Sequence, residues 1–342
     1  LTVEETGLLS QLADRPWRSF SPALPVRFDL PPDARSRELF DLAMQQAGGE
    51  SALSELEAAT RAAGWVCPWC CGRKGAGRAA IVARGLEGNS RRAYVLGMVK
   101  AFNEAGWDAV AWNFRGCSGE PNRKLRSTHS GAGDDLETVV EHVVRRDGMS
   151  AVVLVGFSMG GNIVLKFLGE LGERVDPAIR AAVAFSVPCD LASAAREMAK
   201  PSNALYMRRF LRMLRGKIRA KMERFPGRID DVGYERMRTF KEFDDRYTAP
   251  LCGFRSAEDY WARAGSRPVL TRIRVPTLLV NALDDPFLGE ACTPRREAAR
   301  HPFLHLETPR SGGHVGFVGA GVPWVFWAEI RAVEFCEGVV SR

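Results

Sequence analysis

The chain has 342 residues, of which 46% are hydrophobic and 26% charged, a balance that excludes wholesale disorder and a fibrous repeat. Its 48 Lys and Arg against 41 Asp and Glu give a net charge of +7 spread over most of the length, so nucleic acid is not expected as a partner. No apolar run reaches the roughly 18 residues that span a bilayer.

Residues 1 to 20 lack the basic start and apolar centre of a signal peptide, which leaves a cytoplasmic location as the expectation. Pro16, Pro22, Pro25, Pro31 and Pro32 keep the opening irregular. Ser36 to Ala47 and Ser51 to Ala63 then read as two helices split by Gly48-Gly49. Cys67-Pro-Trp-Cys70 has CxxC spacing, but no second close pair of Cys or His ligands accompanies it, so no metal is expected there. The eight cysteines are mostly isolated and read as reduced thiols. Residues 1–78 therefore form a partly helical segment assigned to no domain.

From Ala79 onward short β-rich runs alternate with helical patterns, the signature of a mostly parallel sheet wrapped by helices. The runs are Ala79 to Ala83, Ala109 to Asn113, Ala151 to Val155, Ala181 to Phe185, Thr277 to Asn281 and Phe303 to Leu306. Most lack polar alternation, as expected of strands covered on both faces. Helices are expected near Arg91 to Ala105, Asp134 to Arg146, Met159 to Leu171 and Trp324 to Val339. The rhythm breaks between Cys189 and about Pro268, where the patterns are helical throughout. An insertion after a strand end hangs over the usual ligand crevice, so residues of about 190–268 are expected to form a lid on a domain running from 79 to 342.

Gly156-Phe157-Ser158-Met159-Gly160 places G-x-S-x-G directly after an apolar strand and directly before a helix. The flanking glycines permit the tight turn that pushes a serine hydroxyl out above a sheet, which makes Ser158 the expected nucleophile. A serine hydroxyl is weak at neutral pH and needs a base, which needs a third group to fix its tautomer. The strand Thr277 to Asn281 runs into Asp284-Asp285-Pro286. Asp284, three residues past the strand end, is the expected acid, and Asp285 is the alternative. His314, in the glycine-rich loop Ser311 to Gly316 after the last strand, is the expected base. His142, His301 and His305 read as packing or surface residues, while His129, in a loop after the second strand, is harder to set aside. An oxyanion hole needs two donors, and the backbone N–H groups of Leu86 and Met159 are the candidates.

With these residues assembled, the chain from about Gly77 to the C-terminus resembles the YheT-type family of α/β-hydrolases. The likeness rests on Gly85-Leu86-Glu87-Gly88-Asn89, the run from Asn113 to Arg123, His129-Ser130-Gly131 and Gly156 to Asn162. Further on it includes Phe243-Asp244-Asp245, Thr248-Ala249-Pro250, Asp284 to Phe287 and Gly312 to Gly316. The resemblance implies an α/β-hydrolase fold and serine esterase chemistry on acyl esters, with Ser158, Asp284 and His314 as its triad. Three departures stand out. Arg84 occupies the place where the family has histidine, and a buried guanidinium is costly unless paired. Cys252 replaces a histidine after Thr-Ala-Pro. Residues 1–78 do not match the family's opening, in which a short antiparallel strand pair precedes the oxyanion strand.

The expected activity is hydrolysis of a carboxylic ester through an acyl-serine, on a small-molecule acyl ester, with no metal or organic cofactor. A hydrolase-fold binding protein without turnover is the alternative that Arg84 and the unusual N-terminus motivate. Thioesterase or acyltransferase activity would use the same triad. In the insertion, Arg208, Arg209, Arg212, Arg215, Lys217, Arg219, Lys221, Arg224 and Arg228 interleave with Phe210, Leu211, Leu214 and Ile218. This pattern fits a solvated face, or else an amphipathic helix that makes peripheral contact with anionic lipid.

Overall fold

The structure, a computed structural model, describes residues 69–70, 77–118, 121–317 and 326–341. The helices expected at 36–47 and 51–63 lie outside these residues, as does Cys67.

The apolar runs form a sheet of seven strands: β1 (Trp69–Cys70), β2 (Arg78–Ala83), β3 (Asp108–Trp112), β4 (Ala151–Phe157), β5 (Ile179–Phe185), β6 (Thr277–Val280) and β7 (Leu304–Glu307). Their order is β1-β3-β2-β4-β5-β6-β7. All neighbours are parallel except β1, which pairs antiparallel with β3 through Trp69 opposite Val110 and Cys70 opposite Ala109. The edge beside β3 therefore carries a short antiparallel strand. The six expected strands fall within two residues of the observed limits.

The main helices are α1 (Ala93–Glu104), α2 (Gly133–Glu141), α3 (Met159–Leu171), α4 (Leu191–Met198), α5 (Ala204–Arg224), α6 (Ala257–Ala264) and α7 (Trp327–Val340). Side chains on β2 show why the sheet needs helices on both faces. Ala79, Ile81 and Ala83 pack with Leu136 of α2 and Ile163 of α3, whereas Ala80 and Val82 pack with Met98 of α1 and Ala332 of α7. Every one of these residues is fully buried.

Between β5 and β6 the chain forms α4, α5, α6 and shorter helical turns, with no strand. This insertion has its own apolar cluster, in which Met207, Leu211, Leu214 and Ile218 of α5 pack with Tyr234, Phe243 and Tyr247. Asn162 of α3 ties it to the rest. Its Nδ2 donates to the carbonyls of Ser130 and Ala264, and its Oδ1 accepts from the N–H of Ser266. Among the described residues no helix is long and apolar enough to cross a membrane.

Candidate active site

β4 ends at Phe157 and α3 begins at Met159, so Ser158 alone makes the turn, with φ 52° and ψ −118°. This is backbone that a residue bearing a Cβ seldom adopts, and it persists only where the surroundings hold it. Here the glycines allow that hold. A Cβ at Gly160 would stand 2.3 Å from the carbonyl oxygen of Ala83, and one at Gly156 would stand 2.5 Å from Gly161 Cα. The Ser158 N–H donates to Phe185 O at 2.8 Å, and its carbonyl accepts from the Asn162 N–H at 3.0 Å.

His314 arrives from the loop after β7. Its Nε2 lies 2.9 Å from Ser158 Oγ, and its Nδ1 lies 2.9 Å and 3.1 Å from the two oxygens of Asp285. A carboxylate only accepts, so Nδ1 carries the proton and Nε2 is left to accept from the serine hydroxyl. The Asp285 side chain is fully buried and that of His314 is 16% exposed. Phe287 packs on the imidazole at 4.4 Å between ring centres, and Ser186 Oγ accepts from the Val315 N–H at 2.9 Å, fixing the loop.

The geometry corrects one expectation. Asp284 does not reach His314; its Oδ1 accepts instead from the N–H groups of Gly312 and Gly313, at 2.9 and 2.8 Å. After β6 the chain closes a turn in which the Asp285 N–H donates to Ala282 O, and this turn sends Asp285 inward. Both aspartates thus serve the histidine loop, one through the imidazole and one through the backbone.

Ser158 and His314 open onto a cavity of about 550 Å³ whose wall includes Leu86 and Met159. Much of the remaining wall is apolar, with Leu191, Met198, Phe210, Met213, Leu214 and Phe240 contributed by the insertion. Gly85 lies against the nucleophile, since a Cβ there would be 3.3 Å from Ser158 Cβ, and its N–H donates to Tyr94 Oη at 3.1 Å. Arg84 is fully buried, and among the described residues no carboxylate pairs with it. Its Nη1 donates to Gly85 O at 2.7 Å and its guanidinium lies 4.3 Å from the centre of the Phe114 ring. Its Nε and Nη2 have no hydrogen-bond partner.

Lys217, Lys221 and His129 are among the wall residues that carry charge or titrate. Lys217 Nζ is 2.7 Å from Glu87 Oε1 and 2.6 Å from Cys117 Sγ, tying α5 to the loop that bears Leu86. Lys221 is buried. The basic run is therefore divided: Arg208, Arg212, Arg219 and Arg224 face outward, while Lys217 and Lys221 face the cavity. The signal was present, because Lys221 takes the next place in the buried series Met207, Leu211, Leu214, Ile218. His129 is also buried at the wall, with Nδ1 accepting from the Gly131 N–H and its ring against Phe254 and Tyr260. Burial, with Arg126 nearby, lowers its pKa to about 4. Among the described residues no cluster of side chains is suited to a metal ion.

Residues 78–300 match the family described as serine aminopeptidase, S33. Over 241 residues the chain is 36% identical to "Putative esterase YheT" of Escherichia coli (strain K12), covering 70% of each protein. It is 30% identical over 239 residues to phospholipase ABHD3 of Homo sapiens, covering 70% of this chain and 58% of that one. With a monoacylglycerol lipase of Saccharomyces cerevisiae it shares 28% identity over 246 residues, 69% of this chain and 54% of the relative. The chain thus spans little more than half the length of these last two. Among solved structures, an esterase of Pyrococcus furiosus superposes with a TM-score of 0.51 at 16% identity, over 80% of this chain and 86% of that one. Est1E from Butyrivibrio proteoclasticus, with ferulic acid bound, gives 0.52 at 14%, over 81% and 96%. These two share the fold. The chain belongs to the YheT-type family of α/β-hydrolases.

Proposed function

We propose that the protein hydrolyses carboxylic esters through an acyl-serine intermediate. The observation that carries this reading is the continuous chain of contacts from Ser158 Oγ to His314 Nε2 and from His314 Nδ1 to Asp285. Ser158 Oγ attacks the ester carbonyl as His314 takes its proton, and Asp285 stabilises the imidazolium that forms. The carbonyl oxygen becomes an oxyanion, and the backbone N–H groups of Leu86 and Met159, both residues of the cavity wall, are its proposed donors. Collapse expels the alcohol, protonated by His314, and a water activated by the same imidazole releases the acid. The apolar wall suits a medium or long acyl chain beneath the helical insertion, which acts as a lid. The relatives named as esterase, phospholipase and monoacylglycerol lipase agree with acyl ester chemistry.

The test is hydrolysis of p-nitrophenyl esters from acetyl to dodecanoyl, with labelling by a fluorophosphonate. Turnover should rise with chain length to an optimum, and Ser158→Ala should lose on the order of 10⁵ to 10⁶ in kcat. Folded wild-type protein that neither turns over nor takes the label would sink the reading and favour a binding protein.

A further inference from the structure

Among the described residues three Lys and Arg side chains line the cavity, and two of them are balanced. Arg115 Nε donates to both oxygens of Asp135 at 2.9 Å, and Lys217 pairs with Glu87. Among the described residues Lys221 has no acidic partner. Only 6% exposed, it donates to the carbonyl oxygens of Lys124 and Leu125, both at 2.8 Å, and lies 6.0 Å from the centre of the Phe225 ring. An ammonium has three donors, so one remains for the cavity.

The two described acids on the wall, Glu87 and Asp244, do not supply the missing charge. Glu87 is committed to Lys217. Asp244 accepts from Thr248 Oγ1 at 2.6 Å and from Trp261 Nε1 at 2.8 Å. A second group is also unsatisfied, because Thr128 Oγ1 is buried at the same wall with no hydrogen-bond partner among the described residues. Burying an ammonium without a counter-ion is costly, and burying a hydroxyl without a partner adds to that cost. A ligand that brings a negative charge and acceptor oxygens meets both needs at once. A purely apolar ligand meets neither, and a neutral oxygen can accept from Thr128 but leaves the Lys221 charge unbalanced.

We propose that the substrate carries an anionic group, a carboxylate or a phosphate, that seats against Lys221 Nζ and Thr128 Oγ1 while its ester lies at Ser158. The inference rests on the esterase reading and adds the substrate class. Lys217 and Lys221 stand one helical turn apart on α5, about 6 Å. The anion site therefore adjoins the lysine that braces the Leu86 loop, and the anionic group it holds is distinct from the ester that reacts at Ser158. Burial lowers the Lys221 pKa to about 8, so the ammonium is still largely charged at neutral pH.

The test measures binding without turnover, so that failure of the esterase reading is seen separately in the p-nitrophenyl assays. Ser158→Ala protein is titrated calorimetrically with octanoate, octyl phosphate and octan-1-ol. At least one anion should bind about tenfold or more tightly than the alcohol, as a charged hydrogen bond predicts, and the tighter of the two identifies the class. Adding Lys221→Met should bring the anions to within about twofold of octan-1-ol, whose own affinity stays unchanged and reports an intact cavity. Thr128→Val should weaken the preferred anion by about threefold or more. Equal affinity for alcohol and anions, or a preference that survives Lys221→Met, would overturn the proposal.

Discussion

The turn from β4 into α3 and the helix α5 face the same cavity but are held by opposite means. At the turn, backbone packs on backbone: a methyl group at Gly160 or Gly156 would stand within 2.5 Å of main-chain atoms. On α5, nothing lies within 4 Å of a Cβ at Gly216, and the helix is positioned by its apolar stripe and by the ammonium groups of Lys217 and Lys221. The geometry of the Ser158 turn thus depends on contacts that admit no added atom. The cavity wall that α5 supplies depends on side chains that substitution can rewrite singly.

The largest expected effect separates the two aspartates beside the histidine loop. Asp285→Asn should lower kcat by about 10³ to 10⁴, because the imidazole loses the group that fixes its tautomer. Asp284→Asn should cost less than about tenfold, since only two backbone donors lose a charged acceptor. Steady-state kinetics on both variants decides, and equal losses would refute the assignment.

Next comes packing. Gly160→Ala should destabilise the fold by about 3 kcal/mol, measured by urea denaturation, because its methyl group meets main-chain atoms that cannot rotate away. A change below about 1 kcal/mol would mean that the turn is looser than its contacts indicate.

His129 lies at the seam between the loop after β3 and the insertion, facing Arg126, Asp134, Lys166 and Arg263. Its folded pKa, near 4, is below the ordinary 6.5, so the unfolded chain takes up the proton first on acidification. The stability due to keeping this ring neutral is complete above pH 6.5 and is lost as pH falls through 4. The loss reaches about 3 kcal/mol at pH 4. Denaturation curves of wild type and His129→Asn across that window should converge toward acid; parallel curves would exclude this residue as the cause.

Lys217→Met should cost about 2 kcal/mol, less than a fully buried pair because the lysine is partly exposed, by leaving the Glu87 carboxylate unpaired. Adding Glu87→Gln should recover part of the loss. Gly216→Ala, the counterpart of Gly160→Ala, should stabilise the protein by about 0.5 to 1 kcal/mol by restricting the unfolded chain in a helix with room for the methyl group. Destabilisation by both glycine changes would erase the contrast between turn and helix.

The sheet was legible because strands covered on both faces must be apolar without interruption, as Val152 to Val155 and Thr277 to Val280 are. Ser158 and His314 were legible because glycine punctuates the turns that carry them. The choice between Asp284 and Asp285 was not, since adjacent residues in a turn differ only by a rotation that the Asp285 to Ala282 hydrogen bond sets. Lys221 was legible only by extending the apolar series Met207, Leu211, Leu214 and Ile218 one step further, whereas Lys217, off that series, was hidden inside the charge run. Arg84 was legible as a departure from the family, but not as a side chain resting on Phe114.

That arginine has a consequence for the amide beside it. The carbonyl of Gly85 and the N–H of Leu86 belong to one resonant peptide group. A guanidinium nitrogen 2.7 Å from the oxygen draws electron density toward it, strengthens the C–N double-bond character and leaves the amide hydrogen more positive. Leu86 therefore presents a more acidic donor than an ordinary backbone N–H, although the guanidinium that polarises it stands outside the cavity wall.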